Sequence, residues 1–261
     1  MLHFAPALLW TSLLLASPPC QREAKLSALA AEVLSADYRG DRAALARLDD
    51  VLGELGGDPL GEYREYWRGF ARWRRALNGF NETPTPADIE VDLVAAIARF
   101  RAALAIRADW IEPKIGIVGC TGSRIYLAGA DEAKKNAILK EFGPYFEAVT
   151  KEGGDNPRAL WLMGGYQSYR GDNAKAVETL RKGLAAAWRD STASPAPAAW
   201  APAWGGPENL MNLAYIASHG AAPDKAVALA YAQGAATAVP SWHYVRDILL
   251  PQIQGLPDAS R

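Results

Sequence analysis

The sequence is poor in the residues that catalysis and metal binding most often use. It contains only three histidines and two cysteines among 261 residues. His3, His219 and His243 lie far apart along the chain, as do Cys20 and Cys120. A zinc site, or a thiolate paired with an imidazole, needs several such groups in one place. The composition therefore predicts a non-catalytic protein with no metal and no cofactor.

A large excess of charge of either sign is also lacking. The formal net charge is -1, and the one distinctly basic stretch is "RGFARWRRAL" at residues 68–77. A nucleic-acid-binding protein usually carries a basic patch that displaces counterions from phosphates. We interpret residues 68–77 as the solvated face of a helix, and Asp49 and Asp50 likewise as solvated. We expect no nucleic-acid partner.

The sequence has no apolar run long enough to span a bilayer comfortably. The longest uncharged apolar stretch extends from Phe4 to Leu15, which fits the hydrophobic region of a secretory signal better than a transmembrane helix. We predict that residues 1–20 are a signal peptide, that the protein is exported to the periplasm or secreted, and that no integral membrane segment remains after removal of the signal. An alternative is a lipid anchor attached at Cys20.

Runs of alternating β-branched residues, which would indicate strands, are absent from the sequence. Residues 24–255 instead carry apolar side chains three and four positions apart, as in "RAALARLDDVLGEL" at 42–55, a spacing typical of amphipathic helices. We predict an all-α domain over 24–255 with insertions at about 79–90 and 190–206. The glycines of residues 111–129 make that stretch the weakest helix prediction, and we interpret them as sites of close helix packing.

The tetrapeptide "YRGD" occurs twice, at residues 38–41 and 169–172, each time between two helical patterns. In each copy we expect the tyrosine to end a helix and the glycine to adopt the left-handed conformation that closes it. The aspartate would then cap the next helix by accepting a backbone hydrogen bond. The residues concerned are Gly40, Asp41, Gly171 and Asp172. The alternative is a recognition motif displayed to a receptor.

Residues 156–184, "NPRALWLMGGYQSYRGDNAKAVETLRKGL", resemble a tetratricopeptide repeat (TPR), which is a pair of antiparallel helices about 34 residues long. Weaker matches lie at residues 95–109, at the N-terminal helix pair and near residue 226. The C-terminal "VPSWHYVRDILLPQI" is similar to the end of exported bacterial TPR proteins. The positions that carry the resemblance are Gly40, Asp41, Ala96, Phe100, Gly164, Gly171, Asp172, Ala176 and Ala226.

The resemblance implies a right-handed superhelix of antiparallel helix pairs, a TPR-like α-solenoid with a C-terminal capping helix. It also implies a scaffold that binds a protein or peptide partner on the concave face formed by the first helix of each pair. Carried over to this sequence, the binding groove comprises Arg158, Trp161, Ser168, Met211 and Tyr215, with Gly165 and Ser218 beside them.

The segment 190–206 adds Trp200 and Trp204 to the predicted groove. Tryptophan is seldom left in water, so both rings are expected to be buried against something. One interpretation is that the segment fills the groove with its own tryptophans. The other is that it forms a wall of a binding site, which gives an alternative function: a periplasmic small-ligand-binding helical protein whose Trp200/Trp204 loop closes over a pocket.

Overall fold

A computed structural model describes residues 21–55, 60–220 and 222–257, so the predicted signal peptide, including Cys20, lies outside the described residues. These ranges contain helices, turns and loops and no β-strand, which confirms the all-α class. The α-helices are α1 (Gln21–Tyr38), α2 (Arg42–Glu54), α3 (Gly61–Gly79), α4 (Ile89–Ile106), α5 (Ile111–Leu127), α6 (Glu132–Glu152), α7 (Pro157–Tyr169), α8 (Asn173–Ser191), α9 (Gly206–His219), α10 (Lys225–Ala238) and α11 (Leu250–Gln254). A π-helix, Tyr244–Leu249, precedes α11.

Helices that follow one another in sequence pack against one another in space. In addition, α1 contacts α3, α3 contacts α5, α5 contacts α7 and α7 contacts α9. Helix α3 lies at the centre of the main core, because Tyr66, Trp67, Phe70 and Trp73 are all essentially inaccessible to solvent. Helices α3 and α4 are joined by residues 80–88 and α8 and α9 by residues 192–205, the two places where insertions are predicted.

The glycine-rich stretch near residue 115 is helical, as part of α5. A Cβ atom on Gly116 would lie 2.4 Å from the ring of Phe100, and one on Gly119 would lie 2.3 Å from the ring of Trp73. A methyl group does not fit at either distance, so these glycines allow two aromatic rings of α3 and α4 to lie directly against the backbone of α5. The predicted role in close helix packing is confirmed for Gly116 and Gly119, but a Cβ on Gly122 would meet no other part of the described fold within 4 Å.

Both YRGD segments form the predicted turn. Gly40 and Gly171 have φ angles of +71° and +85°, in the left-handed region that glycine adopts without steric cost. The Asp41 carboxylate accepts a hydrogen bond from the Ala44 N–H at 2.8 Å, and the Asp172 carboxylate accepts one from the Lys175 N–H at 3.2 Å. Helices α1 and α7 end at the two tyrosines.

Most of the other positions that carry the repeat resemblance lie at buried helix contacts. Ala96, Phe100 and Ala176 are fully buried, and a Cβ on Gly164 would lie 2.5 Å from Leu180. Ala226, which we expected at a packing position, is instead exposed.

The register of α10 explains this difference. The helix begins at Lys225, which places Ala226 in its first turn. Its buried face comprises Ala228, Ala232 and Ala235, residues spaced by three and four. The core face of α10 is therefore shifted by two residues from the predicted one.

The basic segment 68–77 is not a solvated face, and that interpretation is wrong. Arg68 and Arg72 bind Asp49 at 2.8 and 2.5 Å, and Arg74 binds Asp37 at 2.7 Å. Asp49 is likewise buried rather than solvated. The acidic partners belong to α1 and α2, so the charges of α3 are neutralised within the fold.

A second group of ion pairs joins α3 to the start of α4. Arg75 and Arg42 each bind Asp88 at 2.5 Å. Although partial burial opposes ionisation, hydrogen bonds from the two guanidinium groups lower the pKa of Asp88 below its ordinary value. The acids and bases of this region therefore stabilise helix contacts instead of forming a basic surface patch.

The C-terminal segment packs against α10 and also reaches the first YRGD turn. Leu249 and Ile253 are buried against alanines of α9 and α10. The ring of Trp242 meets the ring of Tyr38 edge-on, with centroids 5.1 Å apart. Residues near the two ends of the described chain are therefore in direct contact.

Candidate functional site

Trp204 lies inside the protein rather than on an open wall. Its side chain is 2% exposed, and its ring centroid is 5.4 Å from Phe70, 5.8 Å from Trp73 and 5.5 Å from Trp161. Its indole N–H donates to the Tyr66 hydroxyl at 2.9 Å, so the polar end of the ring is satisfied in the core. The position of Trp204 matches the interpretation in which the 190–206 segment fills the space between the helices.

Trp200 and Arg158 fix the same segment to its surroundings. The Trp200 carbonyl accepts a hydrogen bond from the Trp67 indole N–H at 2.8 Å, and the Trp204 carbonyl accepts one from Arg158 at 3.1 Å. Arg158 is 8% exposed and forms a buried ion pair with Glu112 at 2.9 Å. Arg158 therefore supports the interior, although the sequence placed it on a binding surface.

Two other predicted groove residues, Ser168 and Tyr215, do come together in an open pocket between α7 and α9. The pocket has a volume of ≈ 400 Å³. Its lining residues are Gly165, Ser168, Tyr169, Asn173, Asn212, Tyr215, Ile216, His219 and Gly220. We call these nine lining residues the α7–α9 pocket. The predicted groove residues Trp161 and Met211 lie elsewhere: Trp161 is half-buried against the main core, and Met211 packs against buried residues of α10 and the C-terminal segment.

The α7–α9 pocket combines aromatic faces with neutral polar groups. The rings of Tyr215 and His219 stack with centroids 4.1 Å apart and an angle of 14° between their planes. The Ser168 hydroxyl donates to the Asn173 side-chain oxygen at 3.0 Å, and Asn212 supplies a second amide. The lining contains no Asp, Glu, Lys or Arg side chain. Such a lining suits an uncharged, hydrogen-bonding segment.

Two of the residues that line this pocket are exposed tyrosines. Tyr169 and Tyr215 are 76% and 43% exposed. Tyrosine is enriched at protein–protein interfaces, because it offers a large rigid surface with a hydroxyl at its tip. The repeat pattern did not assign Tyr169 or Asn212 to the binding face, although the YRGD segment predicted that Tyr169 ends a helix.

Two side chains with nucleophilic atoms, Ser218 and Cys120, are both buried. The Ser218 hydroxyl lies 2.8 Å from His219 Nδ1, but Ser218 is buried and also donates to the Tyr215 carbonyl at 3.0 Å. Burial raises the pKa of the Cys120 thiol well above its usual range, which disfavours the thiolate form. In the described part of the chain, no group of three or more His, Cys, Asp and Glu side chains is placed to hold a metal ion.

Comparisons of this chain with protein-family models, with curated proteins and with solved structures found no match. Among the helices of residues 21–55, 60–220 and 222–257, none has the length and apolar character required to cross a membrane.

Proposed function

We propose that this protein is an exported, non-catalytic helical scaffold of the TPR type, a superhelix of helix pairs that binds a segment of a partner protein at the α7–α9 pocket. The observation that carries the proposal is the juxtaposition of Ser168 and Tyr215 in that pocket. Both residues were assigned to a partner-binding face by their positions in the repeat pattern.

The helix contacts support the repeat architecture in this proposal. From α1 to α9, each odd-numbered helix contacts the next odd-numbered helix, as the first helices of stacked pairs would. The two YRGD turns have the same conformation and the same type of aspartate cap. These features are those of a repeated unit, and a stack of such units presents its first helices on one continuous face.

The pocket chemistry supports a polypeptide partner. A main-chain amide offers one donor and one acceptor, which the side-chain amides of Asn173 and Asn212 can match. The exposed rings of Tyr169 and Tyr215 provide apolar surface for a partner's side chains. The 190–206 loop, in contrast, is held by hydrogen bonds from Trp67 and Arg158, so it does not favour the alternative of a loop closing over a small ligand.

Selection from a displayed library of random peptides, with the full chain as the target, tests the proposal. We expect enriched peptides to bind Tyr215→Ala at least about tenfold more weakly than the wild type, because a central interface tyrosine often contributes more than 1.4 kcal/mol. Tyr126→Ala is the matched control, since Tyr126 is 67% exposed on α5 and outside the pocket. Failure to enrich any peptide, or equal binding to the Tyr215→Ala variant, would refute the proposed function.

Cell fractionation tests the proposed export of the protein. Fractionation of cells that express the full chain should place the protein in the periplasm or the medium. Deletion of residues 1–20 should retain it in the cytoplasm, because the apolar stretch that directs export is then missing. An unchanged distribution after the deletion would contradict the predicted signal.

A further inference from the structure

The two YRGD turns have the same backbone but different surroundings. In both, the glycine N–H binds the carbonyl three residues earlier and the aspartate N–H binds the carbonyl five residues earlier. The first pair of bonds measures 2.9 Å in each turn, and the second measures 2.9 Å at Asp41 and 3.0 Å at Asp172. The turns therefore present their tyrosine, glycine and aspartate in the same local arrangement.

The first turn is occupied by other parts of the same chain. The Tyr38 hydroxyl donates to the Glu208 carboxylate at 2.8 Å, while its ring meets Trp242 edge-on. A Cβ on Gly40 would lie 3.2 Å from the His243 ring. This turn thus binds a carboxylate at the tyrosine hydroxyl and two consecutive aromatic residues at the tyrosine ring and the glycine.

The second turn presents the same groups to solvent. Tyr169 is 76% exposed. Apart from Gly171 and its chain neighbours, no atom of the described residues lies within 4 Å of the place that a Cβ on Gly171 would take. Tyr169 also lines the α7–α9 pocket, and the next residue, Arg170, is an exposed cation. The exposed turn therefore adjoins the pocket and, unlike the uncharged pocket lining, carries a cation that favours an acidic ligand group.

We propose that the exposed turn 169–172 is the docking point for a partner segment that carries aromatic residues and a neighbouring carboxylate, bound as Trp242, His243 and Glu208 are bound to the first turn. The inference rests on the proposed function, because it identifies the partner chemistry of the same surface. The two aromatic residues of the partner would pack on Tyr169 and Gly171. The partner's carboxylate would accept a hydrogen bond from the Tyr169 hydroxyl.

A labelled peptide with the sequence of residues 240–247, PSWHYVRD, is the probe for this proposal. In the protein this stretch supplies the two aromatic residues that contact the first turn. A second peptide carries S241E, which adds a carboxylate beside the indole, and a third carries W242A. Fluorescence anisotropy with the full chain measures binding of each peptide.

We expect the S241E peptide to bind several-fold more tightly than PSWHYVRD and the W242A peptide to bind at least about tenfold more weakly, a factor equivalent to 1.4 kcal/mol. Tyr169→Ala should weaken binding of the S241E peptide by a similar factor. Tyr169→Phe should remove the advantage of S241E while retaining binding of PSWHYVRD, because only the hydroxyl is lost. Tyr126→Ala should bind all three peptides as the wild type does.

Three results would overturn the inference: no binding of PSWHYVRD, equal binding of the W242A peptide, or equal binding to Tyr169→Ala. If library-selected peptides still require Tyr215 in any of these cases, the proposed function stands and only the inference fails. Self-association of the full chain that Tyr169→Ala abolishes would also overturn it, since the occupant would then be a second copy of this chain.

Discussion

The two YRGD turns share one sequence and one backbone conformation, yet one is a structural joint and the other is an open surface. The difference comes from what lies beyond the tetrapeptide. The turn at Gly40 faces Glu208 and the C-terminal segment, whereas the turn at Gly171 faces solvent beside the α7–α9 pocket. A local motif determines how the chain bends, and distant residues determine whether that bend stabilises the fold or remains available for binding.

The largest expected difference in stability between the two turns comes from substituting the residue before each tyrosine. Asp37 is buried and bound to Arg74 at 2.7 Å, whereas Ser168, at the same position in the second copy, is half-buried at the pocket. Asp37→Ala should lower the free energy of unfolding by about 3–5 kcal/mol, because it leaves the Arg74 guanidinium buried without its closest acidic partner. Ser168→Ala should lower it by only about 0.5–1.5 kcal/mol, the net contribution of its hydrogen bond to Asn173.

Denaturant titration of both variants measures these free energies. The wild type and Glu178→Gln, a substitution at an exposed position of α8, are the controls. Equal losses of unfolding free energy in Asp37→Ala and Ser168→Ala would mean that both turns stabilise the fold to the same extent, contrary to this prediction.

Removing the tyrosine hydroxyls should give the next largest difference in stability between the two turns. Tyr38→Phe removes the donor to the buried Glu208 carboxylate, and an unsatisfied buried acceptor costs about 1–3 kcal/mol. Tyr169→Phe removes a hydroxyl from an exposed ring, so the free energy of unfolding should remain unchanged. Thermal unfolding of the pair checks this, and a destabilised Tyr169→Phe would contradict the exposed state of the second turn.

Substituting the two glycines should give a smaller difference in stability. Gly40→Ala and Gly171→Ala each force a side chain into the left-handed region, at a cost of about 1–2 kcal/mol. At Gly40 the new methyl group also meets His243 at 3.2 Å. We therefore expect the larger loss of stability at Gly40, and chemical denaturation of both variants measures the difference. A smaller loss at Gly40 than at Gly171 would argue against contact between the first turn and the C-terminal segment.

The pH dependence of stability offers a smaller contrast, through the Glu208 carboxyl that binds the occupied turn. Burial raises the pKa of Glu208 above its ordinary value of 4.5, although Arg74 and the Tyr38 hydroxyl favour the ionised form. The folded state thus binds this proton more tightly than the unfolded state does. The stabilisation from this group is full below pH 4.5 and is lost as the pH rises through the folded-state pKa.

Glu208→Gln cannot titrate, so its free energy of unfolding should fall less than that of the wild type as the pH rises from about 4 to about 8. Denaturant titrations across this range give the two slopes, with Glu178→Gln as the control. Identical slopes for the wild type and Glu208→Gln would contradict the raised pKa.

The helices and turns follow from local sequence, and they could be predicted. Apolar spacing predicts the helices, and the YRGD turns follow from the conformational freedom of Gly40 and Gly171. The partners of buried charges could not be predicted in this way. Arg74 binds Asp37, which is 37 residues away, and Arg158 binds Glu112, which is 46 residues away. Helical periodicity does not encode which distant acid faces each arginine.

The candidate site was predictable to a similar extent. Repeat positions placed Ser168 and Tyr215 on one face, and the structure brings both into the α7–α9 pocket. The same positions placed Arg158 on that face, but the structure encloses it with Glu112 because the 190–206 segment returns over α7. The path of an irregular segment is set by tertiary contacts, such as the hydrogen bond from Trp204 to Tyr66.

Paired measurements on Tyr38→Ala and Tyr169→Ala test the central claim most directly. Both variants receive the same two assays: the free energy of unfolding, and the affinity of the folded protein for the S241E peptide. We expect Tyr38→Ala to lose stability and retain the affinity, and Tyr169→Ala to retain stability and lose at least about tenfold in affinity. Equal stability losses for the two variants, or undiminished affinity in Tyr169→Ala, would contradict the division of the two turns into a joint and a binding surface.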